Sequence, residues 1–126
     1  MEISIDLNSQ TPVYIQLIDQ VKTGVQLRKL KPGDQMPSIR QLATDLGINH
    51  NTVAKAFRLL ERDSVIETRG YRGSYVHAHA RKNSRTDLND WMHMQLGNTI
   101  SELREAGLTD SEIRNAFSDL MSKRTG

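Results

Sequence analysis

The sequence contains no cysteine, only three prolines and few aromatic side chains, which make up 5% of its 126 residues. The lack of cysteine excludes disulfide bonds, thiolate catalysis and cysteine-ligated zinc sites. No apolar run approaches the roughly 18 residues of a membrane span, and the first residues lack the basic and then apolar order of a secretory signal. The chain is also too short for a catalytic barrel of about 250 residues. We therefore expect a soluble, cytoplasmic protein made of one ordinary domain or of one small domain with an appendage.

Positive charge is concentrated in one segment, although the formal net charge of the chain is only +2. Between positions 64 and 86 the single acidic residue is Glu67. The basic residues of that segment are Arg69, Arg72, Arg81, Lys82 and Arg85. A polyanion such as a nucleic acid is a natural partner for such a segment, and a solvated basic loop is the other interpretation.

The N-terminal part of the chain predicts a short strand followed by a helix. Apolar and polar residues alternate over positions 2–7, which is the pattern of a half-buried edge strand. Thr11 is suited to be an N-cap, and Pro12 to be the first helical residue, where a missing N–H is tolerated. Apolar residues then recur at three- and four-residue spacing, so we expect an amphipathic helix over positions 12–28.

Capping residues predict two further helices on either side of a tight turn. Ser38 and Gln41 form a capping-box pattern at the start of one helix, and Gly47 is suited to end it. Asn49 is a suitable N-cap for the next helix. The buried faces of the two helices are predicted to consist of Ile39, Leu42, Ala43, Leu46, Val53, Ala56, Phe57 and Leu60.

After these helices the sequence pattern changes to that of a hairpin. The runs at 65–69 and 74–77 are rich in β-branched and aromatic residues and are separated by a glycine-containing, basic tip. Helix, helix, tight turn, helix and hairpin is the order of a winged helix-turn-helix. The predicted fold class is therefore mainly α with a small β-hairpin.

Several polar residues of this predicted fold are candidates for DNA contacts. The first turn of the third helix can enter the major groove, and its residues are His50, Asn51 and Thr52. Lys55 and Arg58 are candidate phosphate ligands, although exposed basic residues on any helix look the same. Arg72 fits the minor groove or the backbone, and Tyr71 either stacks or reaches a sugar or is an ordinary solvated turn residue.

Five short segments carry a family resemblance. They are Leu-Lys-Pro-Gly-Asp at 30–34, Met-Pro-Ser-Ile-Arg-Gln-Leu-Ala at 36–43, Leu-Gly-Ile-Asn-His-Asn-Thr-Val at 46–53, Leu-Leu-Glu at 59–61 and Gly-Ser-Tyr-Val at 73–76. With them, residues 12–76 resemble the DNA-binding domain of GntR-type bacterial transcription regulators. Residues 49–57 and the short two-helix tail are similar to the YtrA subgroup, which pairs this domain with a small dimerisation module. Members of that subgroup often control genes for ABC transporters.

The resemblance implies specific roles for individual residues. Arg40, of the Pro-Ser-x-Arg motif, is expected to contact DNA from the second helix, and Gly73 corresponds to the glycine of the wing. Ser64 stands where the family usually has glycine, so a positive φ there would strain the backbone mildly. The complete set of predicted DNA-binding residues is Arg40, His50, Asn51, Thr52, Lys55, Arg58, Arg69, Tyr71, Arg72 and Gly73.

The C-terminal part predicts a helical dimerisation module. Residues 79–86, rich in small and charged types, predict a linker between a DNA-binding domain at 1–78 and the module at 87–126. The module has an amphipathic helix and then a second one that starts at the capping-box pair Thr109 and Glu112. Its apolar stripe consists of Leu88, Trp91, Met92, Leu96, Ile100, Leu103, Ile113, Phe117 and Leu120. Two isolated helices cannot bury these faces within one protomer, so we predict a homodimer rather than a cofactor cleft.

Two rival classes of function are an enzyme and a protein-interaction adaptor. The sequence has no glycine-rich phosphate loop and no Ser-His-Asp order, which argues against an enzyme. His77 and His79 lack a fixed third ligand, so no metal site is predicted. An adaptor would not show the steep salt dependence of a DNA binder. The sequence therefore predicts a DNA-binding transcriptional repressor that binds an inverted-repeat operator as a homodimer, without a cofactor and with any small effector left open.

Overall fold

The computed structural model describes residues 2–85 and 88–123 and divides the chain into two compact units, Met1–Thr86 and Asp87–Gly126. The first unit contains helices α1 (Val13–Gln26), α2 (Ile39–Leu46), α3 (His50–Arg62) and α4 (Ala80–Asn83) and strands β1 (Ile66–Thr68) and β2 (Ser74–Val76). The second unit contains α5 (Leu88–Glu105) and α6 (Asp110–Ser122). The predicted fold class, mainly α with a small β-hairpin in a winged helix-turn-helix order, is confirmed.

The core of the first unit lies between α1, α2, α3 and the hairpin. Leu17 and Val21 of α1 are each 1% exposed, and Leu60 of α3 is fully buried. The buried residues of α2 and α3 also include Leu42, Ala43, Val53, Ala56 and Phe57, as their spacing predicts. Burial of a large apolar side chain contributes about 1.5–3 kcal/mol relative to exposure, so this cluster is the main stabilising feature of the unit.

Local capping determines where the helix-turn-helix bends. The Ser38 hydroxyl accepts the Gln41 amide N–H at 3.0 Å and satisfies one free donor at the start of α2. The Gln41 side chain donates to Asp45 at 2.7 Å instead of completing the capping box. Gly47 ends α2 with a left-handed φ of 66°, and the Asn49 side chain caps α3 by accepting an amide N–H at 2.7 Å. The tight turn between α2 and α3 is thus built as predicted.

The strand expected over positions 2–7 is wrong. Two glutamine side chains on α1 satisfy the backbone of this segment, which has no strand partner. The amide N–H of Ser4 donates to Gln20 Oε1, and that of Asp6 donates to Gln16 Oε1, both at 2.9 Å. The same glutamine amides donate back to the Ser4 and Asp6 carbonyl oxygens. An extended segment held by side chains therefore replaces the predicted strand.

Helix α1 is also shorter than its predicted range of 12–28. Pro12 is the N-cap residue, in an extended conformation, and no side chain caps the helix there, so the expectation that Thr11 is the cap is wrong. At the other end Arg28 adopts a left-handed φ of 63°. The amides of Lys29 and Leu30 then both donate to the carbonyl of Gly24, which ends the helix and starts the turn.

The wing is a hairpin with an additional strand-like segment on its outer edge. β1 and β2 pair antiparallel, with the buried residues Ile66 and Val76 opposite each other. The amides of Gly33 and Met36 donate to carbonyls of β2 at 2.9 and 2.8 Å, and the Val76 amide donates to the Asp34 carbonyl at 2.8 Å. The chain that leads into α2 is therefore fastened directly to the wing.

The structure differs from the expected linker at residues 80–85, because this segment folds onto the first unit. Ala80 and Ser84 are fully buried, at 0% exposure, and α4 packs against α1. The Asn83 side-chain amide donates to the Ser64 carbonyl at 3.1 Å, and the Gln26 amide donates to the Ser84 carbonyl. The small side chains that suggested a linker are the ones that allow this close packing.

The second unit consists of two helices joined by a short turn. Gly107 takes a left-handed φ of 96°, and Thr109 and Glu112 form the reciprocal capping box that the sequence predicts. Arg104 near the end of α5 donates to Asp110 at 2.9 Å and connects the two helices across the turn. No residue of α6 is buried. Across the described parts of the chain, no helix is both long and apolar enough to cross a membrane.

Candidate nucleic-acid interface

Arg40 lies in the first turn of α2 and is exposed to solvent. The carboxylate of Asp45, on the same helix, accepts a hydrogen bond from Gln41 at 2.7 Å. Within residues 2–85 and 88–123 the Arg40 side chain takes part in no hydrogen bond or ion pair. A guanidinium in this state is available for two parallel hydrogen bonds to a phosphate or to a guanine edge.

The first turn of α3 presents polar side chains at the N-terminal end of this 13-residue helix. His50 and Asn51 are exposed, whereas Thr52 is half-buried. The cap at Asn49 fixes where the helix begins and so fixes the direction of these side chains. The helix N-terminus also carries a partial positive charge, which favours a phosphate.

Lys55 and Arg58 differ in how far they are already engaged. The Lys55 ammonium lies 4.0 Å from the centre of the Tyr14 ring on α1, a cation–π contact that joins the recognition helix to α1. Arg58 lies on the same helix, is exposed and has no bonded partner in the described part of the chain. Arg58 is therefore free to reach a phosphate, whereas Lys55 would have to leave or share its aromatic partner.

The tip of the wing is a single 3-10 turn, Gly70–Arg72. Tyr71 at its centre is 96% exposed, and the Arg72 guanidinium lies 6.0 Å from the centre of the Tyr71 ring. Gly73 has a φ of 94° and a ψ of −158°, a backbone conformation that a side chain would strain. The tip thus presents one aromatic ring and one cation to solvent, and glycine is required where the chain enters β2.

Arg69, also predicted to bind DNA, is engaged within the wing. Its guanidinium donates to Glu67 at 2.6 and 3.0 Å and lies 4.3 Å from the centre of the Tyr75 ring. The hydrogen bond from Arg69 lowers the pKa of the Glu67 carboxyl below its usual value. The carboxylate therefore offsets much of the local positive charge that this arginine adds.

The turn that leads from α3 into the wing contains Ser64, which stands where the family usually has glycine. Ser64 has a positive φ of 58°, the condition under which a residue other than glycine strains the backbone mildly. Its carbonyl accepts the Asn83 side-chain amide, so α4 supports the turn from behind. This turn, supported by Asn83, sets the direction in which the chain passes from α3 into the wing.

His77 and His79 are near each other, and the His77 ring is bonded to the backbone of His79. Their ring centres are 5.6 Å apart, and His77 Nδ1 accepts the His79 amide N–H at 2.9 Å. Among the described residues no group of three or more histidine, aspartate or glutamate side chains could hold a metal ion.

Sequence reasoning missed three residues that shape this surface: Tyr14, Gln35 and Glu67. Glu67 could have been found, since residues two apart on a strand share a face and Arg69 is such a neighbour. Tyr14 is far in sequence from the cation it contacts, and Gln35 is 37 residues from the Arg72 carbonyl to which it donates. No local spacing indicates either of those two contacts.

Comparisons with known proteins agree with this geometry. Residues 13–76, which include the helix-turn-helix and the wing, match the family model described as bacterial regulatory proteins, gntR family. The HTH-type transcriptional repressor YtrA of Bacillus subtilis (strain 168) is 40% identical over 124 residues, which are 98% of this chain and 95% of that protein.

Two solved structures are similar over nearly the whole chain. YtrA from Sulfolobus acidocaldarius, described as a GntR-family transcription factor, is 35% identical with a TM-score of 0.56, over 96% of this chain and 97% of that one. A transcriptional antiterminator from Listeria monocytogenes EGD-e is 32% identical with a TM-score of 0.62, over 98% and 91%. With the family model and these relatives in agreement, the chain belongs to the gntR family of bacterial regulatory proteins and is a DNA-binding transcriptional regulator rather than an enzyme.

Proposed function

We propose that the protein is a transcriptional repressor that binds an operator through α2, α3 and the tip of the wing. The observation that carries the proposal is the state of Arg40, exposed and unpaired within the described residues at the start of α2. The exposed first turn of α3 and the exposed tip at Tyr71 and Arg72 supply the other contacts. The cytoplasm is the compartment in which such a protein meets chromosomal DNA.

The contacts divide into those that read bases and those that position the protein. His50, Asn51 and Thr52 at the start of α3 are placed to reach base edges in the major groove. Arg40, Arg58 and Arg72 act mainly on phosphates or in the minor groove, which positions the protein with less sequence information. Lys55 and Arg69 support this surface through their aromatic and carboxylate partners.

The second unit dimerises the protein through the apolar stripe of α5 and α6. In a single chain Phe117 is 50% exposed and Leu120 is 72% exposed, and Leu88, Met92 and Leu96 are also exposed. Each large apolar side chain contributes about 1.5–3 kcal/mol on full burial, so a partner copy can offset the ordering cost of association. Linked half-sites then raise operator affinity by about 100-fold or more without a new DNA contact.

The operator of such a dimer is an inverted repeat with half-site centres about 34–36 Å apart, one helical turn of DNA. Selection of bound sequences from random duplex DNA at defined salt tests this directly. We expect an inverted repeat whose affinity falls steeply with salt. A non-repeating site, a single half bound as tightly, or binding that salt does not weaken would contradict the proposal, and the last result would favour an apolar adaptor.

The role of the tail is tested by paired substitutions on one helix. Leu96→Glu places a charge in the stripe, whereas Met94→Glu places the same charge two residues away, on the opposite side of α5. We expect the first variant to be monomeric and to bind the operator weakly, and the second to remain dimeric. Equal sedimentation of the two variants would contradict the assigned interface. The resemblance of the sequence to the YtrA subgroup suggests transporter genes as the regulated targets, which a survey of bound sites upstream of genes would examine.

A further inference from the structure

Gln35 lies where the wing meets the entry to α2. Its segment is fastened to β2 by the backbone hydrogen bonds of Gly33, Asp34 and Met36, and Gln35 itself is bridged to Tyr75. Met36 is buried, and the N-cap of α2 follows two residues later. The backbone of Gln35 is thus held by both the wing and the core, although its side chain is exposed.

The Gln35 side chain reaches the tip of the wing. Its amide Nε2 donates to the backbone carbonyl of Arg72 at 3.2 Å. A Cβ at Gly73 would lie 3.8 Å from the same nitrogen, so the amide rests against the glycine that begins the return strand. The tip is a three-residue turn that begins at Gly70 and is followed by Gly73, and both glycines have a positive φ. Gln35 supplies the side-chain hydrogen bond that reaches this turn from the helix-turn-helix side.

We propose that Gln35 is a positioning residue for DNA binding, which holds the wing tip so that Arg72 and Arg40 meet the duplex together. Arg40 lies five residues after Gln35, in the first turn of α2. The Gln35 side chain therefore links the segment that leads to Arg40 with the turn that carries Arg72. A tip that is ordered before binding loses less conformational entropy on the operator than a mobile one. This inference rests on the proposed function and extends it to how the wing is oriented.

The test uses the full chain and its selected operator, with four single variants. Gln35→Met keeps the length of the side chain but removes the donor, and Gln35→Ala removes both. Gln20→Met is the control, because it also removes a glutamine-to-carbonyl hydrogen bond, together with the bond that Gln20 accepts from the Ser4 amide, and neither bond involves a residue of the wing. Arg72→Ala removes the side chain that Gln35 is proposed to position.

We expect both Gln35 variants to weaken operator binding about threefold to tenfold, the range that one exposed hydrogen bond supports, and the Gln20 control to bind like the wild type. In an Arg72→Ala background the Gln35 substitutions should cause no further loss. The slope of log affinity against log salt should fall by about one for Arg72→Ala and by a similar amount for Gln35→Met, because one phosphate contact is lost in each. A loss of stability alone would leave that slope unchanged.

Other outcomes overturn the inference. Additive losses in the double variant would mean that Gln35 contacts DNA itself, and weaker binding with an unchanged salt slope would mean a merely structural role. If Arg72→Ala has no effect while Arg40→Ala weakens binding, the inference fails and the proposed function stands. If neither arginine matters to operator binding, the proposed DNA surface itself is wrong.

Discussion

The packing of α4 on α1 predicts where the DNA-binding domain can be cut. A fragment that ends at His79 lacks the buried Ala80 and the two hydrogen bonds made by Asn83 and by the Ser84 carbonyl. A fragment that ends at Arg85 keeps all of these contacts. We expect both fragments to lack the dimerising tail but only the longer one to retain the stability of the intact domain.

The difference in free energy of unfolding follows from the contacts that are lost. A buried methyl group contributes about 0.8 kcal/mol, and each of the two hydrogen bonds contributes about 0.5–1.5 kcal/mol. We therefore expect the shorter fragment to be less stable by about 2–4 kcal/mol. This is a large share of the roughly 5–15 kcal/mol that holds a typical domain together. In urea the unfolding midpoints should differ by roughly 1–2 M.

Urea titration followed by far-ultraviolet circular dichroism measures both fragments under one set of conditions. Asn83→Ala in the full chain is a milder form of the same perturbation, since it removes only the bond to the Ser64 carbonyl. Lys82→Ala, an exposed neighbour on α4, is its matched control and should leave stability unchanged. Equal stability of the two fragments would refute the argument and would restore residues 79–85 as a simple linker.

Three further predictions concern single residues. Arg40→Ala should weaken operator binding by at least about 1 kcal/mol, whereas Arg81→Ala, on α4, should weaken it less and mainly reduce the dependence of affinity on salt. Equal losses of affinity with equal salt dependence in a binding titration would show that the recognition surface has been assigned wrongly. Ser64→Gly should raise the free energy of unfolding by up to about 1 kcal/mol, because it removes side-chain strain at a φ of 58°, and a lower urea midpoint would contradict this. The hydrogen bond from Arg62 lowers the pKa of Asp63 below 3.8, so the ionised carboxylate stabilises the fold at neutral pH, and this stability is lost as pH falls through the lowered pKa. The stability advantage of the wild type over Asp63→Asn should therefore shrink below pH 3.8, and an advantage that persists in acid would argue against the ion pair.

Features that depend on neighbouring residues were predictable from the sequence. The caps at Ser38 and Asn49, the left-handed Gly47 and the capping box at Thr109 all involve partners within three residues, so their spacing is visible in the sequence. The apolar faces of α1, α2 and α3 follow the helical repeat for the same reason. The predicted order of helix, helix, tight turn, helix and hairpin is then consistent with few folds other than a winged helix-turn-helix.

Two of the predictions that failed, the N-terminal strand and the linker, involve side chains that bond across long stretches of chain. Gln20 is 16 residues from Ser4, Asn83 is 19 from Ser64, and Gln26 is 58 from Ser84. Each of these bonds changes a local assignment, turning an expected strand into an extended segment or an expected linker into part of the domain. A polar side chain carries no periodic signal that names a distant carbonyl as its partner, so these contacts could not be predicted.

The predicted DNA-binding residues also differ in whether their side chains already have bonded partners, which the sequence did not show. The sequence treats Arg69 and Arg72 alike, but Arg69 must give up Glu67 before it binds a phosphate, while the Arg72 side chain has no carboxylate partner among the described residues. A phosphate contact that replaces an existing ion pair contributes less net binding free energy than a contact made by a solvated cation, because the loss of the ion pair offsets part of the gain. Affinity should therefore come mainly from Arg40, Arg58 and Arg72, which leaves the first turn of α3 to decide which sequence is bound.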